Sequence, residues 1–126
     1  MNFPDDLKYT NDHEWVKIDG NLATIGVTDH AQSELGDVVY VDIDEDLEGI
    51  TKGEDFGTIE AVKTVADLMA PISGTMSSIN IDINDSPETV NSDPYGDGWL
   101  IKVEITDMSE LDDLMDSSAY QDYVGQ

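Results

Sequence analysis

The chain has 126 residues, with 29 acidic side chains against five lysines, no arginine and no cysteine, and a formal net charge of −24 at neutral pH. That length supports one domain over residues 1–126, large enough to bury a core and too small for two lobes. The charge excludes binding to nucleic-acid phosphate and disfavours an anionic membrane surface, while the missing cysteines exclude a disulfide framework, a thiolate nucleophile and a cysteine zinc site.

The first stretch, Met1 to Asn11, is polar with Leu7 and Tyr9 as anchors, and it has neither the basic and apolar regions of a signal peptide nor an Arg-rich amphipathic pattern. Glu14 to Ile18 alternates around Trp15, Val16 and Ile18, and Asp19-Gly20-Asn21 turns it into Leu22 to Val27, so a β-hairpin is expected. Thr28 is placed to cap a short helix over Asp29 to Leu35, ended by Gly36. Val38 to Ile43 reads as a strand and Asp44 to Gly53 as an acidic loop. Thr75 to Ile83 alternates again, and Asn84 to Gly98 reads as a loop with one helical turn near Glu88 to Val90. A last strand is expected over Trp99 to Ile105. Ser109 then caps a C-terminal helix with Leu111, Leu114 and Met115 on one face, Asp112 completing the box and Tyr120 and Tyr123 extending the face. No run reaches membrane-spanning length, and a cytoplasmic location is the simplest expectation.

Between the acidic loop and the next strand lies the stretch the rest of the chain is organised around, the hairpin 57–74. Two apolar runs, Thr58 to Val62 and Val65 to Ile72, flank Lys63, which is the only cation between Lys52 and Lys102. Gly57 and Gly74 bracket the segment where turns call for φ freedom, and Pro71 suits a strand end. A lysine at a strand end ordinarily does no more than solvate an edge. Here Glu60 precedes it by three residues and Asp67 follows by four, so a lone amine stands in an acidic setting, available for acylation with no buried partner to lose.

The run Glu60-Ala61-Val62-Lys63-Thr64, with Asp67 and Ala70-Pro71-Ile72-Ser73-Gly74, resembles the lipoyl-attachment hairpin of the glycine cleavage system H protein family. His13-Glu14-Trp15-Val16, Gly26-Val27-Thr28-Asp29-His30-Ala31-Gln32, Leu35-Gly36 and Asn91-Ser92-Asp93-Pro94-Tyr95 leading to Gly98-Trp99 carry the resemblance along nearly the whole chain. It implies a mostly β fold, a barrel-sandwich hybrid of two antiparallel sheets with a short helix near residue 30 and a C-terminal helix. It also implies lipoic acid in amide linkage to Lys63. The dithiolane would take an aminomethyl group from a pyridoxal-phosphate glycine decarboxylase (P protein) and present it to a tetrahydrofolate-dependent aminomethyltransferase (T protein). A dihydrolipoyl dehydrogenase (L protein) would reoxidise it, and a lipoate ligase or lipoyl/octanoyl transferase would load the lysine. The chain would then be a non-catalytic carrier, a monomer meeting its partners transiently. In the family the loaded arm folds back on the body, which makes Glu14, Asp67 and the apolar Val27 candidates to receive it, since a carboxylate with apolar walls holds an ammonium and excludes water. In a chain this acidic, plain surface charge is the competing reading for both acids.

Other readings stay open beside this one. A lipoyl relay to 2-oxo acid dehydrogenases would use the same fold, whereas a free lipoyl domain is shorter and lacks the His-Glu-Trp segment and C-terminal helix. A biotin carrier is disfavoured because Val62 and Thr64, not methionines, flank the lysine. A non-carrier acidic module would leave Lys63 dispensable. Asp42 to Asp46 and Asp82 to Ser86 begin like calcium loops and then break the pattern, with Leu47 and Pro87 at the glycine positions. His13 and His30 form a metal site only if the fold joins them, and a packed or hydrogen-bonded strand residue is the preferred reading of His13. The acid excess points to a salt-rich cytoplasm, where screening relieves self-repulsion.

Overall fold

A computed structural model describes residues 2–125. In chain order the elements are β1 (Lys8–Tyr9), β2 (Glu14–Asp19), β3 (Leu22–Val27), α1 (Asp29–Leu35), β4 (Val38–Ile43), β5 (Gly49–Ile50), β6 (Asp55–Ala61), β7 (Val65–Met69), β8 (Gly74–Ile79), α2 (Asp82–Asp85), α3 (Thr89–Ser92), β9 (Ile101–Ile105), a 3-10 helix (Met108–Asp113) and α4 (Ser117–Val124). The strands pair antiparallel in a six-stranded sheet, ordered β1-β2-β3-β9-β8-β5, and a three-stranded sheet, ordered β4-β6-β7. This is the expected barrel-sandwich of two antiparallel sheets with a helix at residue 30 and another at the C-terminus.

Period-two alternation explains why the sheets face each other: Val16, Ala23, Ile25, Ile101 and Val103 of the larger and Val41, Ile59 and Leu68 of the smaller join one core, each at most 1 % exposed. Each large aliphatic side chain so buried favours folding by roughly 2 kcal/mol before entropy is charged against it. A second cluster of Phe3, Leu7, Tyr9, Trp15 and Tyr120 closes one end. There the Tyr9 and Tyr120 rings stack at 4.8 Å, and Phe3 meets Tyr120 edge-on at 5.4 Å. Trp15 lies over Gly26, its partner across the β2–β3 ladder, where any Cβ would come within 2.6 Å of the indole.

Several expectations are corrected. Gly57 and Gly74 are not turn glycines: they lie within β6 and β8 and neither has a positive φ. They serve close approach instead, since a Cβ would stand 2.5 Å from Asp42 O at Gly57 and 2.7 Å from Glu104 O at Gly74. The C-terminal helix is two helices. Asp107, not Ser109, caps the first, a 3-10 helix, by accepting from the Ser109 amide. The chain then extends at Leu114 because Met115 exchanges both backbone hydrogen bonds with Tyr9, each 2.8 Å, before Asp116 caps α4. Alternation past Ile79 does not continue a strand either: Ile83 is buried, but from α2. The acidic loop contains the short strand β5, paired to β8.

Candidate functional site

The hairpin tip is Val62-Lys63-Thr64, between β6 and β7. Ala61 N donates to Thr64 O at 2.8 Å to close the turn, and Val62 N donates to Asp37 O at 3.0 Å, pinning the tip to the link after α1. Lys63 is exposed and Val62 is 74 % exposed. Among the described residues the one ion pair joins Lys52 to Asp113, so Lys63 is bound by neither Glu60 nor Asp67. Its side chain lies along Gly36, where a Cβ would come within 3.3 Å of Lys63 Cε.

Gly36 ends α1 at φ 78° and donates its amide to Gln32 O, and Thr28 begins the helix by accepting from Ala31 N at 3.1 Å. Asn91 fixes that end of the helix, its amide donating to Gly36 O at 2.8 Å and to Gln32 Oε1 at 3.0 Å, while Val38 N donates to Asn91 Oδ1. Spacing of three and four residues puts Ala31, Glu34 and Leu35 on one face of α1. That face lines a cleft of about 160 Å³, completed by Asp12, His13, Glu14 and Val27 and by Ile59, Ala66, Asp67 and Leu68 of the smaller sheet. A larger hollow of about 540 Å³ between Lys52, Pro71, Asp113 and Tyr123 contains no deeply buried carboxyl. Volume alone therefore does not select the site.

The structure brings Glu14, Val27 and Asp67 into one cleft, whose α1 wall ends at Leu35 just before the Gly36 along which Lys63 lies, and leaves Glu60 out, exposed on β6. Glu14 is 2 % exposed and accepts from Thr10 Oγ1 and from Met69 N, both at 3.1 Å. Burial pushes its carboxyl up to about 8, against the pull of those two donors. Asp67 is exposed at the mouth, and Val27, 4 % exposed, forms apolar wall.

His13 is not a strand residue. It occupies the corner before β2 with φ 68°, and its Nδ1 lies 2.8 Å from Tyr120 Oη. The hydrogen-bonded part of the preferred reading holds and the strand part does not, and the fold also joins His13 to His30, ring centroids 4.7 Å apart, where the two histidines were expected to stay separate. No cluster of three or more metal-ligating His, Cys, Asp or Glu side chains forms among the described residues. Thr10, Asn91 and Tyr120 are the site residues that sequence reasoning missed. Thr10 sits in a polar stretch that looks like ordinary loop, Asn91 belongs to a motif of the family resemblance that assigns it no role, and the Tyr120 position, in an apolar helical spacing, carried a signal of burial.

A sequence profile of the glycine cleavage H-protein family matches residues 7–126. The glycine cleavage system H protein of Chlorobium phaeovibrioides is 54 % identical over 127 residues, covering 99 % of each chain. That of Bacteroides thetaiotaomicron is 51 % identical over 96 % of each chain. The crystal structure of a glycine cleavage system H protein from Mycobacterium marinum superposes with a TM-score of 0.89 at 40 % identity, covering 98 % of this chain and 99 % of that one.

Proposed function

The chain belongs to the glycine cleavage H-protein family, and on that premise we propose that it is a lipoyl-carrying shuttle of glycine cleavage whose attachment residue is Lys63. The observation that carries the reading is the alignment of a lone, unpaired lysine at a pinned hairpin tip with a cleft that leads along α1 to a buried carboxyl. Helix α1 has seven residues, about 10 Å of rise, which a lysine stem extended by an acyl chain can span.

Lys63 would hold lipoic acid in amide linkage, and the bound group would supply the disulfide chemistry that takes up an aminomethyl cargo bearing an amine. The protein's part is to hold that amine. Glu14 keeps its proton in the empty cleft at neutral pH, because burial holds its carboxyl near 8. An arriving ammonium changes the balance. Ionising Glu14 at pH 7 costs about 1.4 kcal/mol for one unit of pKa, while an ammonium about 4 Å away at an effective dielectric near 20 returns about 4 kcal/mol. Attraction wins, Glu14 releases its proton, and the cargo is held as an ion pair. Asp67 offers a second carboxyl at the mouth, and Val27, Leu35, Ile59 and Leu68 keep water from the cargo. Glu60, at the foot of the tip, is offered to loading and partner enzymes and not to the cargo.

In this reading the whole chain is one carrier domain, non-catalytic, monomeric and cytoplasmic, loaded by a lipoate ligase or lipoyl/octanoyl transferase. It serves the glycine decarboxylase, the aminomethyltransferase and the dihydrolipoyl dehydrogenase in turn. No helix among the described residues is long and apolar enough to cross a membrane. Incubating the purified chain with lipoate, ATP and a lipoate ligase, followed by intact mass and peptide mapping, should give a single adduct on Lys63. Lys63→Arg keeps the charge and should abolish both the adduct and glycine cleavage. Activity surviving in that variant would end the assignment.

A further inference from the structure

Tyr120 of α4 is fully buried, yet its hydroxyl lies 2.8 Å from Thr28 Oγ1 and 2.8 Å from His13 Nδ1. Thr28 is also fully buried, and its hydroxyl oxygen already accepts from Ala31 N as the cap of α1. Among the described residues, the acceptor within reach for the Thr28 proton is Tyr120 Oη. If Tyr120 instead donated to Thr28, that proton would be stranded between two fully buried side chains, which is costly. The satisfied arrangement therefore runs one way: Thr28 donates to Tyr120, and Tyr120 donates to the lone pair of His13 Nδ1. His13 then carries its proton on Nε2 and is neutral.

We infer that Tyr120 is a positioning residue for the cargo cleft, its hydroxyl bridge holding His13 as the neutral Nε2–H tautomer on the cleft wall and so latching the C-terminal helix to cargo retention. The latching part rests on the carrier reading of Lys63. His13 lines the cleft directly before Glu14, and its backbone oxygen accepts from Thr28 N at 3.0 Å, so the same pair of residues is tied twice. The groups that bear on the ring are Tyr120 and Tyr123 from α4, His30 and Glu34 from α1, Asp12 beside it in its own turn, and Glu14 and Asp67 within the cleft. A proton on Nδ1 would reverse the hydroxyl chain and strand Thr28. It would also place a cation beside His30 and on the wall that faces a cationic cargo. Burial, followed by His30, accordingly holds the His13 titration below its ordinary range.

The test uses nitrogen-15 NMR of the histidine rings in the unlipoylated chain, followed through a pH titration. The Nε2–H tautomer is expected in the parent chain, with a midpoint below that of an ordinary histidine. Tyr120→Phe removes the donor to the neutral form. It should mix the tautomers and raise the midpoint by about half a unit to one unit, the worth of one hydrogen bond. In chain lipoylated and loaded with glycine and its decarboxylase, the same variant should lose cargo to water about five-fold faster. The readout is release of formaldehyde and ammonia, with one water consumed and one thiol regenerated per carrier. An Nδ1–H tautomer in the parent chain, or an unmoved midpoint in the variant, overturns the inference. If the midpoint moves and cargo loss does not, the latch is overturned while the carrier reading stands. If Lys63 takes no adduct from an active ligase, it is the carrier reading that has failed, and the NMR result stands by itself. Should the variant not fold, the tautomer and midpoint of the parent chain decide.

Discussion

Glu14 and Asp67 line the same cleft in the same acidic chain, yet one is 2 % exposed and the other lies open at the mouth. Burial makes Glu14 the group whose charge state depends on what occupies the cleft. It also leaves a signature in stability. The folded carboxyl binds its proton up to about pH 8, whereas the unfolded one loses it near pH 4.5. Between those values the native state holds more protons, so stability falls as pH rises through the window and levels off above it. Glu14→Gln removes the dependence. The variant loses an acceptor to Met69 N or Thr10 Oγ1 at every pH, but its stability relative to the parent should climb by on the order of 4 kcal/mol from about pH 5 to about pH 8. Urea melts across that range check this, and a pH-independent difference would sink the assignment of a buried neutral Glu14. His13 acts in the opposite sense, because a half-buried histidine held below its ordinary titration must charge in acid, so its share of stability is lost as pH falls through the ordinary histidine range.

At the scale of elements, helix α1 was readable to the residue, since Thr28 and Gly36 are its cap and stop in sequence and in structure. The β2–β3 hairpin and the tip at Lys63 were equally legible, because turn chemistry and β-branched runs are local signals. The glycines of the hairpin were not. A glycine needed for φ and one needed for clearance look alike in sequence, and only the β4–β6 approach distinguishes Gly57 as the second kind. Gly57→Ala would press its Cβ onto the Asp42 carbonyl and Ile43 Cγ1, and backbone on that side cannot rotate away. The expected loss is roughly 2 kcal/mol, read by thermal melting, with weaker amide protection in β4 than in the β2–β3 hairpin. A neutral substitution would mean the sheet relaxes freely there. The break at Leu114 to Asp116 was hidden for a similar reason: an apolar helical spacing continues through it, and the pairing of Met115 with Tyr9 lies over a hundred residues away in sequence.

For the whole molecule the dominant fact is a formal charge of −24, offset by one ion pair among the described residues. Like charges spread over the surface of a small domain oppose the compact state, and raising KCl from about 0.1 M to about 1 M shortens their reach from about 10 Å to about 3 Å. The melting temperature should therefore rise by several degrees over that range, and a flat or falling one would dismiss the salt-adapted reading of the surface. The sequence by itself determined the sheet-rich class, the helix at residue 30, the exposed lysine hairpin and the exclusion of cysteine chemistry, because patterning, capping, turn residues and composition act over a few neighbours or over the chain as a sum. Only the tertiary structure decided that Glu14, Val27 and Asp67 share a cleft whose α1 wall ends just before the Gly36 along which Lys63 lies, while Glu60 stands apart, and that His13 meets His30 and Tyr120. Burial and the direction of a hydrogen bond depend on partners from distant segments, and those partners are chosen when the two sheets and the C-terminal helix pack together.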